Sequence, residues 1–312
     1  MVDIRLITIS QSLNSCHRWR CLPGVPSLHK MEDMKKIIVA LDGLKLAKSA
    51  VQYAIAIAAR QQAHLVGVFL DDVTYHSYKI YELTGPEGVA EEKRAILEEG
   101  DIEKRATAVE QFKTACDNAS INYSVHHDRN IAVHELLHES IYADLLIIQS
   151  RETLTHYEEE LPTRFVRELL EGAQCPVLVV PEQFKPVQKV SILYDGEPSS
   201  VFATRMFCYL YGDHIMEETE VVTVNKPGHS SHVPDNRLMK EFMKRHLPDA
   251  RYTVLKGDPE TEILRHLRTY GGNNLLVLGA YRRGMVSRWF RPSMADLLMR
   301  EVKMPLFIAH NK

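Results

Sequence analysis

One pattern is written twice in this chain. Residues 36–43 read KIIVALDG and residues 189–196 read KVSILYDG: a lysine, an apolar run, then Asp-Gly at the same spacing. A short apolar run that ends in Asp-Gly ahead of a helical pattern predicts a buried parallel strand delivering a carboxylate to the sheet's carboxyl edge, where such folds bind ligands. Further matches follow in the same order. Residues 143–149 (ADLLIIQ) pair with 273–279 (NNLLVLG), and 175–180 (CPVLVV) with 304–309 (MPLFIA). The period far exceeds the roughly 20–50 residues of a solenoid repeat, so the chain reads as a tandem of two αβ units.

Strands alternating with helices set the fold class as α/β with parallel sheets and right-handed crossovers. Strands are predicted at 36–41, 64–70, 123–126, 145–148 and 177–180 in the first unit, and at 190–194, 220–224, 251–255, 275–278 and 306–309 in the second. A helix is predicted over 46–60 on the stripe Val51, Ile55, Ala58 and Ala59, and the charged stretch 91–118 is predicted helical with a break near Gly100. Loops are expected at 74–88 and 225–235, where Gly and Pro collect. Residues 1–33 carry neither the repeat nor a signal-peptide apolar segment and are expected to be a disordered leader, with Met31 and Met34 close to the first strand. The expected domains are therefore 34–181 and 187–312, and the short connection at 182–186 predicts that they pack against each other.

Composition narrows the function classes. With 38 basic and 41 acidic residues the formal charge is −3, which offers no global attraction to nucleic acid or an anionic membrane. No run approaches the roughly 18 apolar residues that span a bilayer. Five scattered cysteines (Cys16, Cys21, Cys116, Cys175, Cys208) read as reduced thiols of a cytoplasmic chain. Cys16, His17 and Cys21 lack the second ligand pair that a zinc clip needs.

Residues 257–263, GDPETEI, followed by LLVLGA, carry a Gly-x-Pro-x-x-x-Ile segment between a strand and a helix. On these residues the chain resembles the universal stress protein family in its tandem form, from about Lys36 to His310. The resemblance implies two five-stranded parallel-sheet domains in the order 3-2-1-4-5 (universal stress protein-like, adenine nucleotide alpha hydrolase-like), set as a pseudo-twofold pair whose closing strands 177–180 and 306–309 meet. It also implies a non-catalytic cytoplasmic stress-response role and ATP or another adenine nucleotide as the candidate ligand. The family's Gly-x2-Gly-x9-Gly-Ser/Thr motif falls on Gly279, Arg282 and Pro292-Ser293 in the second unit, and on Gln149, Glu152 and Pro162-Thr163 in the first. Implied nucleotide positions are thus Asp195, Gly196, Gly279, Arg282 and Ser293, with Asp42, Gly43 and Thr163 as their vestiges in the first unit.

Both motifs are degraded, and the physics of the loss is specific. Glycine serves where backbone N–H groups must approach phosphate closely; Pro has no N–H, and Glu repels an anion. The first unit is expected to bind triphosphate poorly. In the second, Arg282, Arg283, Arg288 and Arg291 supply guanidinium groups for phosphate, which makes weak adenine nucleotide binding the expectation there. Plainer roles compete at every position. Asp42 and Asp195 suit an Asx-turn or a helix cap, Thr163 and Ser293 suit N-caps, and the arginines suit pairing with Glu158, Glu159 and Glu160 in the matching loop. That last pairing would steer association with protein partners or a second copy.

His134-Glu135-Leu136-Leu137-His138 matches H-E-x-x-H, in which two imidazoles one helical turn apart hold zinc and the Glu activates water. Its counterpart in the second unit offers Thr261 and Arg265 instead, so the duplicated scaffold needs no metal there. The stripe Val133, Leu136, Leu137 and Ile141 is expected to face the core, leaving His134 and His138 at the surface as a decoy. Two readings compete with the non-catalytic stress protein: a zinc-dependent hydrolase using 134–138, and a pure protein-interaction module.

Overall fold

The two copies of the repeated pattern form strands β1 (Lys36–Asp42) and β8 (Lys189–Leu193), each the middle strand of a five-stranded parallel half-sheet. The computed structural model describes residues 35–70, 84–85, 88–89, 91–128, 132–155, 157–212, 218–228, 230–270, 273–281 and 294–310. After β1 the first half runs through α1 (Lys48–Gln61), β2 (His64–Leu70), a two-residue ribbon β3 (Thr84–Gly85) and β4 (Gly88–Val89), α2 (Glu91–Asn118), β5 (Tyr123–Asp128), α3 (Ala132–Glu139), β6 (Leu145–Gln149), α4 (Arg164–Gly172) and β7 (Val177–Val180). After β8 the second half runs through α5 (Pro198–Tyr211), β9 (Glu218–Asn225), α6 (Asn236–His246), β10 (Arg251–Lys256), α7 (Pro259–Leu267), β11 (Asn274–Gly279), α8 (Met294–Glu301) and β12 (Leu306–Ala309).

Strand order is β5-β2-β1-β6-β7 in the first half and β10-β9-β8-β11-β12 in the second, 3-2-1-4-5 in both. The closing strands meet as expected, antiparallel, with Phe307 opposite Leu178, and this makes one continuous ten-stranded sheet. The pairing has a simple cause. VLVV and LFIA are buried along their whole length, so each half alone would present an apolar edge with unpaired backbone groups. Residues 34–312 accordingly form one compact unit.

Successive residues of β1 enter opposite layers: Ile37, Val39 and Leu41 one core, Ile38 and Ala40 the other. Both cores cross the junction. The first holds Val51 of α1 and Phe112 of α2 with Phe207 of α5 and Met243 of α6, and the second holds Leu136, Leu169, Ile263 and Leu298 of α3, α4, α7 and α8. Burying a side chain of this size contributes about 1.5–3 kcal/mol, which explains why the halves stay joined. Arg167 of α4 adds an ion pair to the buried Asp296 of α8 at 3.0 Å.

Three local expectations are corrected. α2 runs unbroken through Gly100, because that glycine costs only about 1 kcal/mol in a helix whose ion pair Arg94–Glu98 and buried Phe112 and Cys116 hold it on either side. On α1 the buried face is Ala50, Val51, Tyr53, Ala54, Ile57 and Ala58, with Ile55 half-buried and Ala59 exposed. Val133 and Leu136 face the core, but Ile141 is exposed, since a 3-10 turn at Ser140–Tyr142 rotates it out of the helical stripe. The leader, Cys16, Cys21 and most of the 74–88 loop lie outside the described residues. Cys116 and Cys208 are buried thiols outside any disulfide.

Candidate functional site

At the carboxyl edge of the first half, β1 ends on Asp42 and β6 ends on Gln149, and the loop 149–163 arches between them and α4. Asp42 is 1% exposed. Its Oδ1 accepts the Leu44 N–H at 2.7 Å, the Asx-turn that the Asp-Gly pair predicts, while its Oδ2 is buried with no hydrogen-bond partner among the described residues. Burial pushes the Asp42 carboxyl up, against the pull of the Leu44 N–H, Arg105 and Lys45. Arg105 of α2 lies directly over the turn. A Cβ on Gly43 would stand 3.0 Å from its Cγ.

Glu152, the residue that replaces the motif's second glycine, is turned inward and buried. Its Oε1 accepts the N–H groups of Thr153 and Leu154 at 3.1 and 3.2 Å. Burial and then the charge of Asp42 push its carboxyl up to about 7. Thr163 ties this loop to the next helix: its hydroxyl donates to the Glu152 carbonyl at 2.5 Å and accepts the Val166 N–H at 3.2 Å, capping α4. The result is a polar depression of about 530 Å³ lined by Lys45, Gln149, Glu152, Thr153 and Tyr157. Of the two buried carboxyls, Glu152 lines it.

The second half treats the same edge differently. Asp195 is exposed, and its Oδ1 accepts the Glu197 N–H at 3.0 Å and the Ser200 hydroxyl at 2.7 Å. Gly196 has φ +87°, and a Cβ there would meet Pro234 at 2.8 Å. Gly279 closes β11 where a Cβ would lie 2.3 Å from the Ser199 carbonyl carbon, so the bare glycine lets the first turn of α5 sit on the strand end. Gln149 occupies that place in the first half, and there the helix starts one turn later relative to the aspartate, at Lys48 and not at the counterpart of Pro198. Arg282, Ser293 and the other arginines of that loop lie outside the described residues. Structure therefore brings Asp42 and Glu152 together, with Thr163 behind Glu152, and separately brings Asp195, Gly196 and Gly279 around the start of α5.

The model of the Universal stress protein family matches residues 34–181. Residues 34–181 belong to the universal stress protein family. The chain's fold is shared with a universal stress protein from Archaeoglobus fulgidus DSM 4304, at 16% identity and a TM-score of 0.65, over 88% of this chain and 98% of that chain. A functionally unknown protein from Pseudomonas aeruginosa PAO1 is similar at 13% identity and a TM-score of 0.56, over 89% of this chain and 93% of that chain. No curated protein matches the chain.

Sequence reasoning missed a second polar cluster, at the opposite, amino edge of the sheet. Buried Glu220 of β9 accepts from Ser191 at 2.7 Å, lies 3.0 Å from His266 Nε2 and pairs with Lys189 Nζ at 3.4 Å. Lys189 also sits 3.7 Å above the Tyr270 ring. Burial alone would raise the Glu220 carboxyl, but Ser191, His266 and Lys189 outweigh it and hold the group low. In the first half Lys36 pairs with Glu139 at 3.0 Å and His126 Nδ1 lies 2.7 Å from the same carboxylate. The lysine that opens each repeated pattern was the available signal.

His134 and His138 are both exposed on α3, and the His138 ring packs 5.7 Å from that of Tyr142. Among the described residues no group of three or more His, Cys, Asp or Glu is placed to hold a metal ion. No helix among them is long and apolar enough to cross a membrane.

Proposed function

We propose that this chain is a non-catalytic universal stress protein whose two halves have divided their ligand chemistry. The first half no longer accepts a nucleotide triphosphate. The observation that carries this reading is Glu152: where the motif calls for a bare amide facing phosphate, a buried carboxyl stands beside the buried Asp42, offering an entering anion no amide and only the negative charge that the pair holds. The residues present do not fit the group. In the second half Asp195 is exposed and holds only its own turn, through the Glu197 N–H and the Ser200 hydroxyl, so that half is assigned weak binding of ATP or another adenine nucleotide, with Arg282 and Ser293 as the sequence-based phosphate contacts. The protein acts, on this reading, in the cytoplasm, without nucleic acid or membrane as partner.

The exposed Tyr157, Glu158 and Glu160 beside Arg151 and Arg300 favour one addition, a protein partner or second copy at this loop. Thermal melting in the presence of ATP tests the main reading, because a ligand that binds only the folded state raises the melting temperature by mass action. A modest rise that disappears in Asp195→Ala and survives in Asp42→Ala is the expected result. A rise that depends on Asp42 and not on Asp195 would refute it.

A further inference from the structure

The second helix of each half covers one end of the sheet, and the two helices carry opposite charge. α2 packs Phe112 against Tyr123 of the edge strand β5, with ring centroids 5.9 Å apart, and α6 holds Lys240 5.7 Å above the Tyr252 ring of the other edge strand, β10. Buried Phe112 of α2 and Met239 and Met243 of α6 enter the same core layer. Both helices therefore lie on one side of the sheet, at its two ends.

On α2 the cations are already engaged. Arg94 pairs with Glu98 at 2.8 Å, Lys104 with Asp101 at 3.7 Å and Lys113 with Glu110 at 2.7 Å, while Arg105 stands over the turn at Asp42 and Gly43. Glu99 and Glu103, one turn apart and exposed, carry uncompensated negative charge. Beside them the small side chains of Ala106, Thr107 and Thr114 line a surface depression of about 560 Å³ bordered by Glu103 and Glu110. α6 is the reverse. Arg237, Lys240, Lys244 and Arg245 are exposed against one exposed acid, Glu241, and Arg237, Lys244 and Arg245 have no ion pair among the described residues. Leu238, two turns before Arg245 and so on the same face of the helix, is 59% exposed.

A large apolar side chain flanked by cations on one helix, and small side chains bordered by carboxylates on its counterpart, fit one another by size and by charge. Within one chain the two faces lie at opposite ends of the ten-stranded sheet and cannot meet, whereas a second copy supplies each face with the other. We propose that α6 of one copy docks on α2 of a second copy, with Leu238 in the depression at Ala106 and Thr107 and with Arg237, Lys244 and Arg245 facing Glu99, Glu103 and Glu110. One helix laid on another buries less than the roughly 1,200 Å² of a stable interface, so the association is weak, with Kd on the order of 100 μM, and is steered by charge. It uses neither carboxyl edge and stands whether or not either binds nucleotide.

Sedimentation equilibrium of the full chain tests the docking. At about 0.01 M ionic strength, where the Debye length is roughly 30 Å, reversible self-association with Kd of about 100 μM is expected, and it should weaken about tenfold or more at about 1 M, where that length is roughly 3 Å. Two variants at exposed positions, Arg237→Glu with Arg245→Glu and Glu99→Lys with Glu103→Lys, should each associate roughly tenfold more weakly alone, because each presents like charges to itself. Mixed in equal amounts they should recover the native strength, since the reversed α6 of one meets the reversed α2 of the other, and a folding failure cannot mimic that recovery. A native chain that stays monomeric at about 1 mM, an association indifferent to salt, a variant that associates as strongly as the native chain, or a mixture no stronger than its components overturns the proposal.

Discussion

At the amino end of the central strand in each half, a lysine meets a carboxylate and a histidine, yet the carriers have changed places. In the first half the carboxylate is Glu139 on helix α3 and the histidine is His126 on strand β5; in the second the carboxylate is Glu220 on strand β9 and the histidine is His266 on helix α7. Glu139 and His266 occupy the matching place near the end of the third helix of their halves. What has been kept is the balance of charge around the lysine, not the residue at any one position. The carboxyl edges show no such compensation. Asp42 has acquired a second buried acid in Glu152, while its counterpart Asp195 remains in solvent with its own turn as partner. A compensated exchange marks a structural requirement of the fold, and an uncompensated one marks a site whose chemistry has been reassigned.

The contrast can be broken most forcefully at the amino edge. Glu220→Ala leaves Lys189 and His266 facing a vacated, buried position and should cost about 3–5 kcal/mol in urea denaturation. Glu139→Ala, in a wetter setting, should cost about 1 kcal/mol. Equal losses would mean that burial does not set the difference between the two clusters. Gly279→Val should follow in size. Its side chain would drive into the backbone of Ser199, costing roughly 3 kcal/mol, whereas Gln149→Val in the first half should shift stability by less than about 1 kcal/mol.

The carboxyl pair gives a prediction with a sign. Glu152 is held up to about 7 against an ordinary value of 4.5, so the unfolded chain releases this proton at lower pH than the folded one. Between about pH 4.5 and 7 the folded state therefore loses roughly 3 kcal/mol relative to the unfolded as pH rises, and the loss is complete above that window. Glu152→Gln should flatten this slope, melting higher than the native protein at about pH 8 and alongside it at about pH 4.5. Parallel melting profiles for the two proteins would show that Glu152 carries no proton into the neutral range.

Much of this fold was legible because buried parallel strands leave a plain record: lysine, apolar run, Asp-Gly, written twice, located β1 and β8, and the Cys-Pro and Met-Pro runs located the edges that pair. The turn chemistry of Asp42 and Asp195 and the cap at Thr163 were legible for the same reason, since each depends on neighbours two or three residues away. Gly100 misled because a glycine's helix penalty is local while the packing of Phe112 that overrides it comes from the sheet. The pairing of Glu152 with Asp42 was not legible, because it joins residues 110 positions apart through a loop whose path no local pattern states. Pro198 stands at the first helical position of α5, where proline is favoured, but the reason that early start is allowed lies in Gly279, far along the chain.

Isothermal titration of the intact chain with magnesium-ATP, repeated in Asp42→Ala and Asp195→Ala, tests the division of labour most directly. At most one weak site per chain is predicted, lost in Asp195→Ala and retained in Asp42→Ala. Tight, magnesium-dependent binding that vanishes with Asp42 would contradict the account at its centre.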